Sequence, residues 1–125
     1  MRALGPCNAW AVGFYQNVTN GQILSLAEHW NGTAWKVMPT PSPDSDRNVL
    51  SAVGAATIND AWAVGQTGSN TFIVHWNGSF WTQAPSPSPS SNTNDLFGVA
   101  VVSATDAWAV GQYFPGNTTN PLVLH

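Results

Sequence analysis

The 125-residue sequence predicts an all-β protein in which a unit of four antiparallel strands is repeated nearly three times. Two repeated phrases and the turn residues between them carry this prediction. The pentapeptide Ala-Trp-Ala-Val-Gly occurs at Ala9–Gly13, Ala61–Gly65 and Ala107–Gly111. The phrase His-Trp-Asn-Gly occurs at residues 29–32 and 75–78, and its spacing of 46 residues equals that of the last two pentapeptides. The shared spacing indicates an array of one supersecondary unit.

Four short apolar runs in the middle repeat predict its four strands, labelled A to D in chain order. Each run is rich in β-branched, aromatic or small apolar residues and is too short for a helix. Turn-forming residues separate neighbouring runs. The predicted strands are Leu50–Ala56, Ala61–Gly65, Thr71–Trp76 and Phe80–Gln83.

The connections between strands follow from their turn residues. Asn31-Gly32 and Asn77-Gly78 predict two-residue type I′ hairpins between strands C and D, in which both residues have positive φ. Asp60, like Asn8 and Asp106, precedes strand B, where a short acceptor side chain suits an Asx turn. The Pro-x-Pro-x-Pro segments after strand D lack N–H donors, so we expect them to leave the sheet as stiff crossovers.

Four antiparallel strands in roughly 40–50 residues predict a blade of a β-propeller. The predicted blades span residues 1–43, 44–89 and 90–125, and the third lacks its last strand. Propellers usually close with roughly 4–8 blades. We therefore expect either a piece of a longer propeller or copies that associate head to tail, two chains giving about six blades.

The repeat resembles a known group of proteins. The pattern Leu-x-x-Val, Asp-Ala-Trp-Ala-Val-Gly, His-Trp-Asn-Gly-x-x-Trp and Pro-Ser-Pro is similar to that of bacterial repeat proteins of the kelch/galactose-oxidase-like or sialidase-like propeller superfamilies. The resemblance covers nearly the whole chain and implies a propeller fold. It carries over no catalytic residue, because the copper ligands of galactose oxidase and the arginine triad of sialidases have no matching motif in this sequence.

Composition limits the classes of partner. Charged residues make up 7% of the chain, and the net charge is −3 with only three basic residues. We therefore expect no nucleic-acid partner. No apolar run is long enough to span a bilayer. The scarcity of lysine and the abundance of Ser, Thr, Asn, Gly and Pro are typical of secreted bacterial β-proteins, so we expect a secreted or cell-surface location. Cys7 is alone, which excludes an intrachain disulfide.

The residues that could carry chemistry favour a structural role. The seven tryptophans occupy fixed repeat positions, which indicates packing between blades, so Trp62→Ala should cost about 3–5 kcal/mol. His29, His75 and His125 have no second ligand at metal spacing, so we expect structural hydrogen bonds and no metal or cofactor. No carboxylate pair suggests glycoside hydrolysis, and we expect no enzymatic activity. The scattered carboxylates are Glu28, Asp44, Asp46 and Asp95.

Binding is expected where the repeats differ. The register varies only between strands B and C, and loops on a rigid scaffold often carry binding sites. Exposed tyrosine and glutamine there would suit a carbohydrate. The predicted ligand-binding residues are Phe14, Tyr15, Gln16, Gln66, Gln112, Tyr113 and Phe114.

These observations predict a non-enzymatic binding module whose first expected ligand is a glycan. Two alternatives remain. The chain could be a segment of a larger sialidase- or galactose-oxidase-like enzyme with its catalytic residues elsewhere. It could also be a structural, self-assembling surface repeat.

Overall fold

A computed structural model describes all 125 residues and contains eleven β-strands and no helix. The first sheet comprises β1 (Arg2–Gly5), β2 (Asn8–Gln16), β3 (Ile23–Trp30) and β4 (Trp35–Met38). The second comprises β5 (Asn48–Thr57), β6 (Asp60–Thr67), β7 (Asn70–Trp76) and β8 (Trp81–Ala84). The third comprises β9 (Asn94–Ser103), β10 (Asp106–Tyr113) and β11 (Asn120–Leu124).

In all three sheets, strands that are neighbours in sequence are also neighbours in space, and every pair is antiparallel. The predicted all-β class and the A-to-D strand order are therefore confirmed, and the sheets are compatible with propeller-like blades. The third sheet has three strands, as predicted. The predicted blade boundaries at 43/44 and 89/90 lie in the connections between sheets.

Each new sheet packs its first strand across the sheet before it. Strand β5 contacts β1, β2 and β3, and β9 contacts β5, β6 and β7. Side chains alternate between the two faces of a strand. Trp10 in the first sheet packs on the second sheet. We call the face that carries Trp10, and the equivalent faces that carry Trp62 in the second sheet and Trp108 in the third, the outgoing face. The opposite face, which carries Ala61 in the second sheet and its counterparts elsewhere, is called the incoming face.

The last glycine of the pentapeptide is required by a close approach between strands. A Cβ at Gly65 would collide with the carbonyl oxygen of Val49, and one at Gly111 would collide with that of Asp95. The pairing of strands A and B shifts register beside both contacts. Only glycine allows the two backbones to approach this closely at the irregularity.

The predicted type I′ hairpins between strands C and D are wrong. Only the glycines have positive φ (97° at both Gly32 and Gly78), and no other residue type does. Asn77 Oδ1 instead accepts hydrogen bonds from the N–H groups of Ser79 and Phe80, both at 2.9 Å. Asn31 makes the equivalent pair of bonds. Because the asparagine side chain closes a four-residue loop, Phe80 belongs to the turn and strand D begins at Trp81.

The proline-rich segments leave the sheet, as expected, but stay against strand C of their own unit. The hydroxyl of Thr71 lies 2.7 Å from that of Ser86 and 3.2 Å from that of Ser88. The N–H of Thr71 also donates to Ser88 Oγ at 3.0 Å. Ser25 makes the same contacts in the first sheet. The residues between the prolines therefore supply the hydrogen bonds that proline cannot.

Two fully buried asparagines join neighbouring sheets. Asn48 Nδ2 donates to the carbonyl oxygen of Ile23 in the first sheet at 3.1 Å, and Asn48 Oδ1 accepts from the hydroxyl of Thr67. Asn94 Nδ2 donates to the carbonyl oxygen of Ser69, which precedes β7, at 2.8 Å. Each asparagine side chain also hydrogen-bonds the backbone four residues before it, at Asp44 for Asn48 and at Ser90 for Asn94. We call Asn48 and Asn94 the asparagine latches.

Candidate functional site

Six of the seven predicted ligand-binding residues lie within strand B rather than after it. Phe14, Tyr15 and Gln16 belong to β2, Gln66 to β6, and Gln112 and Tyr113 to β10. Only Phe114 follows its strand. Strand B therefore ends two or three residues later than the sequence predicted. Strand B continues because its terminal residues keep pairing with strand C, as Thr67 does with Asn70.

The exposed aromatic residues of this group do not share one face. Phe14 is 53% exposed and lies on the outgoing face of β2, while Tyr15 is 49% exposed and lies on the incoming face. The pairing of β2 with β3 runs through both residues without a register shift. The two rings therefore point to opposite sides of the sheet and cannot form a single flat platform.

Other members of the group hold the connections in place. Gln16 Nε2 donates to the carbonyl oxygen of Gly21 at 3.1 Å. The Tyr113 hydroxyl accepts from Asn120 Nδ2 at 3.2 Å, and the carbonyl oxygen of Phe114 accepts from Ser90 Oγ. Phe14 and Tyr15 thus have the side chains of this group that are most available to a ligand.

A histidine packs on the outgoing-face tryptophan of each sheet. His75 Nε2 lies 2.6 Å from Asp60 Oδ1, and its ring centroid lies 4.2 Å from that of Trp62. His125 and Asp106 repeat the hydrogen bond at 2.9 Å beside Trp108. The predicted Asx turns are therefore wrong at Asp60 and Asp106, because the side-chain oxygens of both residues bond to imidazole instead. The histidines make structural hydrogen bonds, as expected.

The first sheet contains the same arrangement with a neutral acceptor. His29 Nε2 donates to Asn8 Oδ1 at 3.0 Å, and the His29 ring centroid lies 4.6 Å from that of Trp10. Burial lowers the pKa of His29. An amide oxygen carries no full charge to offset the desolvation of an imidazolium. The three histidine sites thus share geometry but differ in the charge of their partner.

Two carboxyl groups near the strand A entries have shifted pKa values. Backbone hydrogen bonds from Arg47 and Asp46 lower the pKa of Asp44. Burial raises the pKa of Asp95, and the positive charge of Arg47 partly opposes that shift.

The structure contains no group of three or more His, Cys, Asp or Glu side chains that could hold a metal ion. It also contains no helix long and apolar enough to cross a membrane.

Two sheet faces are uncovered and carry large apolar side chains. The outgoing face of the third sheet exposes Trp108 (43%), Val110 and Val123. The incoming face of the first sheet exposes Trp35 (42%) and Val37. We call these the Trp108 face and the Trp35 face. Exposed apolar patches of this kind mark interaction surfaces.

A cavity of about 300 Å³ lies between the second and third sheets. Trp62, Val64 and Ile73 line it from the outgoing face of the second sheet. Val99 and Leu124 line it from the third sheet. Because Trp62 is the counterpart of the fully covered Trp10, the cavity marks a difference between two otherwise equivalent interfaces.

No protein-family model matches the chain, and neither a curated protein nor a solved structure matches it. The features that bear on function are the two uncovered faces, the cavity and the exposed residues of strand B.

Proposed function

We propose that the chain is a non-enzymatic interaction module whose main binding surfaces are the Trp108 face and the Trp35 face. One observation carries the proposal. Inside the chain, the outgoing face of the first sheet packs on the incoming face of the second, with Trp10 ring centroids 5.0 Å from those of Trp76 and Trp81. The Trp108 face is the repeat counterpart of the outgoing face in this interface. The Trp35 face is the repeat counterpart of the incoming face.

The repeat relation supports a second copy of the chain as the partner. Trp108 corresponds to Trp10, and Trp30 and Trp35 correspond to Trp76 and Trp81. The rings of Trp30 and Trp35 lie 5.7 Å apart, close to the 5.9 Å between Trp76 and Trp81. A head-to-tail contact would place this indole pair over Trp108, and two copies would supply six blades for a closed ring.

The mass of the chain in solution tests this proposal. Light scattering should give twice the 13.3 kDa chain mass. Trp35→Glu and Trp108→Glu should each give the monomer, because a carboxylate would be buried in an apolar contact. Val18→Glu is the matched control, since Val18 is 96% exposed in the β2–β3 connection and lies on neither face. A monomeric wild-type chain, or a mass unchanged by both face variants, would overturn the proposal.

A gain-of-association variant sharpens the test. Glu28 occupies the position that Val74 holds on the incoming face of the second sheet, where Val74 is fully buried. Association must therefore desolvate the Glu28 carboxylate. Glu28→Val should tighten the dimer by about tenfold or more, measured by sedimentation over a concentration series.

We also propose a glycan as a ligand at the strand B ends, where Phe14 and Tyr15 are exposed beside Gln16. Aromatic rings offer apolar faces to sugar C–H groups, and an amide can bond hydroxyls. A secreted or cell-surface location, expected from the composition, belongs to this proposal. A glycan array should give hits that Phe14→Ala or Tyr15→Ala removes. An array without hits, or hits kept by both variants, would contradict it.

A further inference from the structure

We infer that an open groove beside the second sheet binds a neutral sugar ring through two adjacent hydroxyl groups. The groove has a volume of about 640 Å³, and its lining residues all lie between Pro43 and Ser88. We call it the polar groove. No residue of the Trp108 face or the Trp35 face lines it. The inference rests on the proposed glycan for the class of ligand, but it assigns a different site.

Three strand ends of the second sheet form the floor of the polar groove. Thr67 ends β6, Asn70 begins β7, and Gln83 is the last residue but one of β8. The strand pairing puts all three side chains on the incoming face. The walls of the groove are the connections before and after this sheet, at residues 43–44 and 85–88.

Two primary amides in the polar groove are available to a ligand. The side chains of Asn70 and Gln83 are exposed, and the hydrogen bonds that hold this region together join other residues. The repeat does not need an amide at either position, because the first sheet has Leu24 and Val37 there. The second sheet therefore carries polar groups that the repeated fold does not explain.

Asp44 adds the only charge among the groove-lining residues. Its Oδ1 atom accepts hydrogen bonds from the backbone N–H groups of Asp46 and Arg47 at 2.8 and 2.9 Å. These bonds lower the pKa of Asp44, so the side chain is a carboxylate at neutral pH. The Oδ2 atom lies beside Gly68, where a Cβ would come within 2.6 Å of it. Glycine thus keeps the space next to this oxygen open.

The asparagine latch does not explain the carboxylate of Asp44. Asn48 bonds the backbone N–H and carbonyl groups of Asp44. Asn94 makes the same two bonds to the backbone of Ser90, which is the repeat counterpart of Asp44. Because the latch works with a serine at this position, the Oδ2 atom of Asp44 is available to a ligand.

The charge and polarity of the lining decide the class of ligand. Asp44 would repel a negatively charged ligand, and no cationic side chain lines the groove to attract one. An apolar ligand would contact only Ala84 and two prolines, and it would strip water from the amides without replacing their hydrogen bonds. A neutral ligand rich in hydroxyl groups meets neither cost.

A sugar ring offers the matching groups. A carboxylate only accepts hydrogen bonds, whereas a primary amide both donates and accepts them. One sugar hydroxyl can therefore donate to Asp44 Oδ2 in a charge-assisted bond, while its neighbour bonds the amide of Asn70 or Gln83. The exposed ring of Pro43 is a rigid apolar surface for the C–H groups of the sugar.

The polar groove lies next to the strand B end of the first sheet. Gln22 Nε2 donates to the carbonyl oxygen of Asp44 at 3.1 Å, and Gln16 pairs with Ile23, the residue after Gln22. A glycan at the strand B ends therefore has the groove close by. The two sites consist of different residues, so they can be tested separately.

Titration of simple sugars into the ¹⁵N-labelled chain tests the inference. The probes are the methyl glycosides of glucose, galactose and mannose. The matching methyl uronides, which carry a carboxylate on the same ring, are the acidic controls. We expect a neutral glycoside to shift the side-chain amide signals of Asn70 and Gln83 saturably, with a Kd of about millimolar for a ligand of this size. Its uronide should bind about fivefold more weakly or worse.

Two substitutions separate ligand contact from structural support. Gln83→Ala should weaken binding of the neutral glycoside about threefold to tenfold. Asp44→Asn should weaken it to a similar extent and should also remove the preference over the uronide. The asparagine Oδ1 can still accept from the N–H groups of Asp46 and Arg47, so the loop is retained. Thr82→Ala is the matched control, because Thr82 is exposed on the other face of β8 and does not line the groove.

The outcomes separate this inference from the glycan proposal at the strand B ends. Shifts at Asn70 and Gln83 that Phe14→Ala leaves unchanged support the polar groove, even where the glycan array removes the strand B site. Shifts confined to the residues around Phe14 and Tyr15, or no shifts with any probe, would overturn the inference and leave the strand B site to the array. Binding that both Gln83→Ala and Asp44→Asn leave unchanged would overturn it as well.

Discussion

The interface between the first and second sheets and the interface between the second and third sheets use the same repeat but have different cores. The first contains eleven buried residues, including three tryptophans, whereas the second contains four and no tryptophan. Trp76, the last residue of strand C, and Trp81, the first residue of strand D, supply two of the three tryptophans of the first core.

This comparison shows that the tryptophans of one sheet fill the core that this sheet forms with the sheet before it. Strand D of the second sheet covers Trp10 of the first sheet. The third sheet lacks strand D, and the tryptophan left partly uncovered is Trp62 in the second sheet. In such arrays, stability is a sum of terms between nearest neighbours. A strand D therefore stabilises the interface between its own sheet and the sheet before it.

Replacing Trp10 and Trp62, which are equivalent in the repeat, should give the largest difference in stability between the two interfaces. Trp10→Ala should lower the free energy of unfolding by about 3–5 kcal/mol, because it removes a fully buried indole. Trp62→Ala should cost about half as much, because Trp62 borders the cavity and is only half-buried. This revises the larger cost expected from the sequence for Trp62. Urea denaturation of both variants checks the order, and equal costs would contradict it.

Replacing the asparagine latches should cause the next largest loss in the free energy of unfolding. Asn48→Ala removes the bond to Ile23 across the first interface, and Asn94→Ala removes the bond to Ser69 across the second. Each should cost about 1–3 kcal/mol, since buried backbone groups lose their partners. Asn48→Ala should cost more because the Thr67 hydroxyl also loses its acceptor.

Hydrogen exchange measured on the same variants locates these losses. Asn48→Ala should lower protection at the β3–β5 boundary, and Asn94→Ala at the boundary of β7 with β9. Loss of protection spread evenly over all three sheets in both variants would show that the latches do not act locally.

The smallest expected effect is the pH dependence that His29 contributes to stability at the first interface. Burial lowers the pKa of His29 below its ordinary value of 6.5, so the unfolded chain binds this proton more readily than the folded chain. Stability should therefore fall as the pH drops through about 6.5, and the loss is complete below the folded pKa. His29→Gln should remove this contribution. Asn8→Asp should oppose it, because it supplies the carboxylate that His75 already has in Asp60.

Denaturant midpoints at pH 7.5 and 5.5 measure the effect, with Val18→Glu as a surface control. A difference between these pH values that is the same in the wild-type chain and His29→Gln would contradict the assignment to His29.

The repeat made much of the architecture predictable, and the errors have local causes. The 46-residue spacing placed the strands in the right order because each strand begins near a repeated residue. The extent of strand B was missed because Gln66 and Thr67 continue the pairing without an apolar signature. The turn at Asn77 was missed because its side chain, rather than a second positive φ, closes the loop.

The latches, the faces and the cavity depend on contacts between units. Asn48 and Asn94 recur at the repeat spacing, which is a signal, but their partners are backbone carbonyls that no sequence pattern marks. The sequence does not reveal the cavity, because Trp62 and Trp10 occupy the same place in the same motif. Only the structure shows that their surroundings differ.

The connection between strands B and C makes the chain suitable as a display scaffold. It spans residues 17–22 in the first sheet, 68–69 in the second and 114–119 in the third, while the strand pairing on either side persists. Lengthening such a loop threefold costs only about 1 kcal/mol of closure entropy. A foreign epitope grafted between Asn117 and Thr118, which are both exposed and take no part in the asparagine latches, should therefore be presented at a rigid edge without disturbing the sheets that carry it.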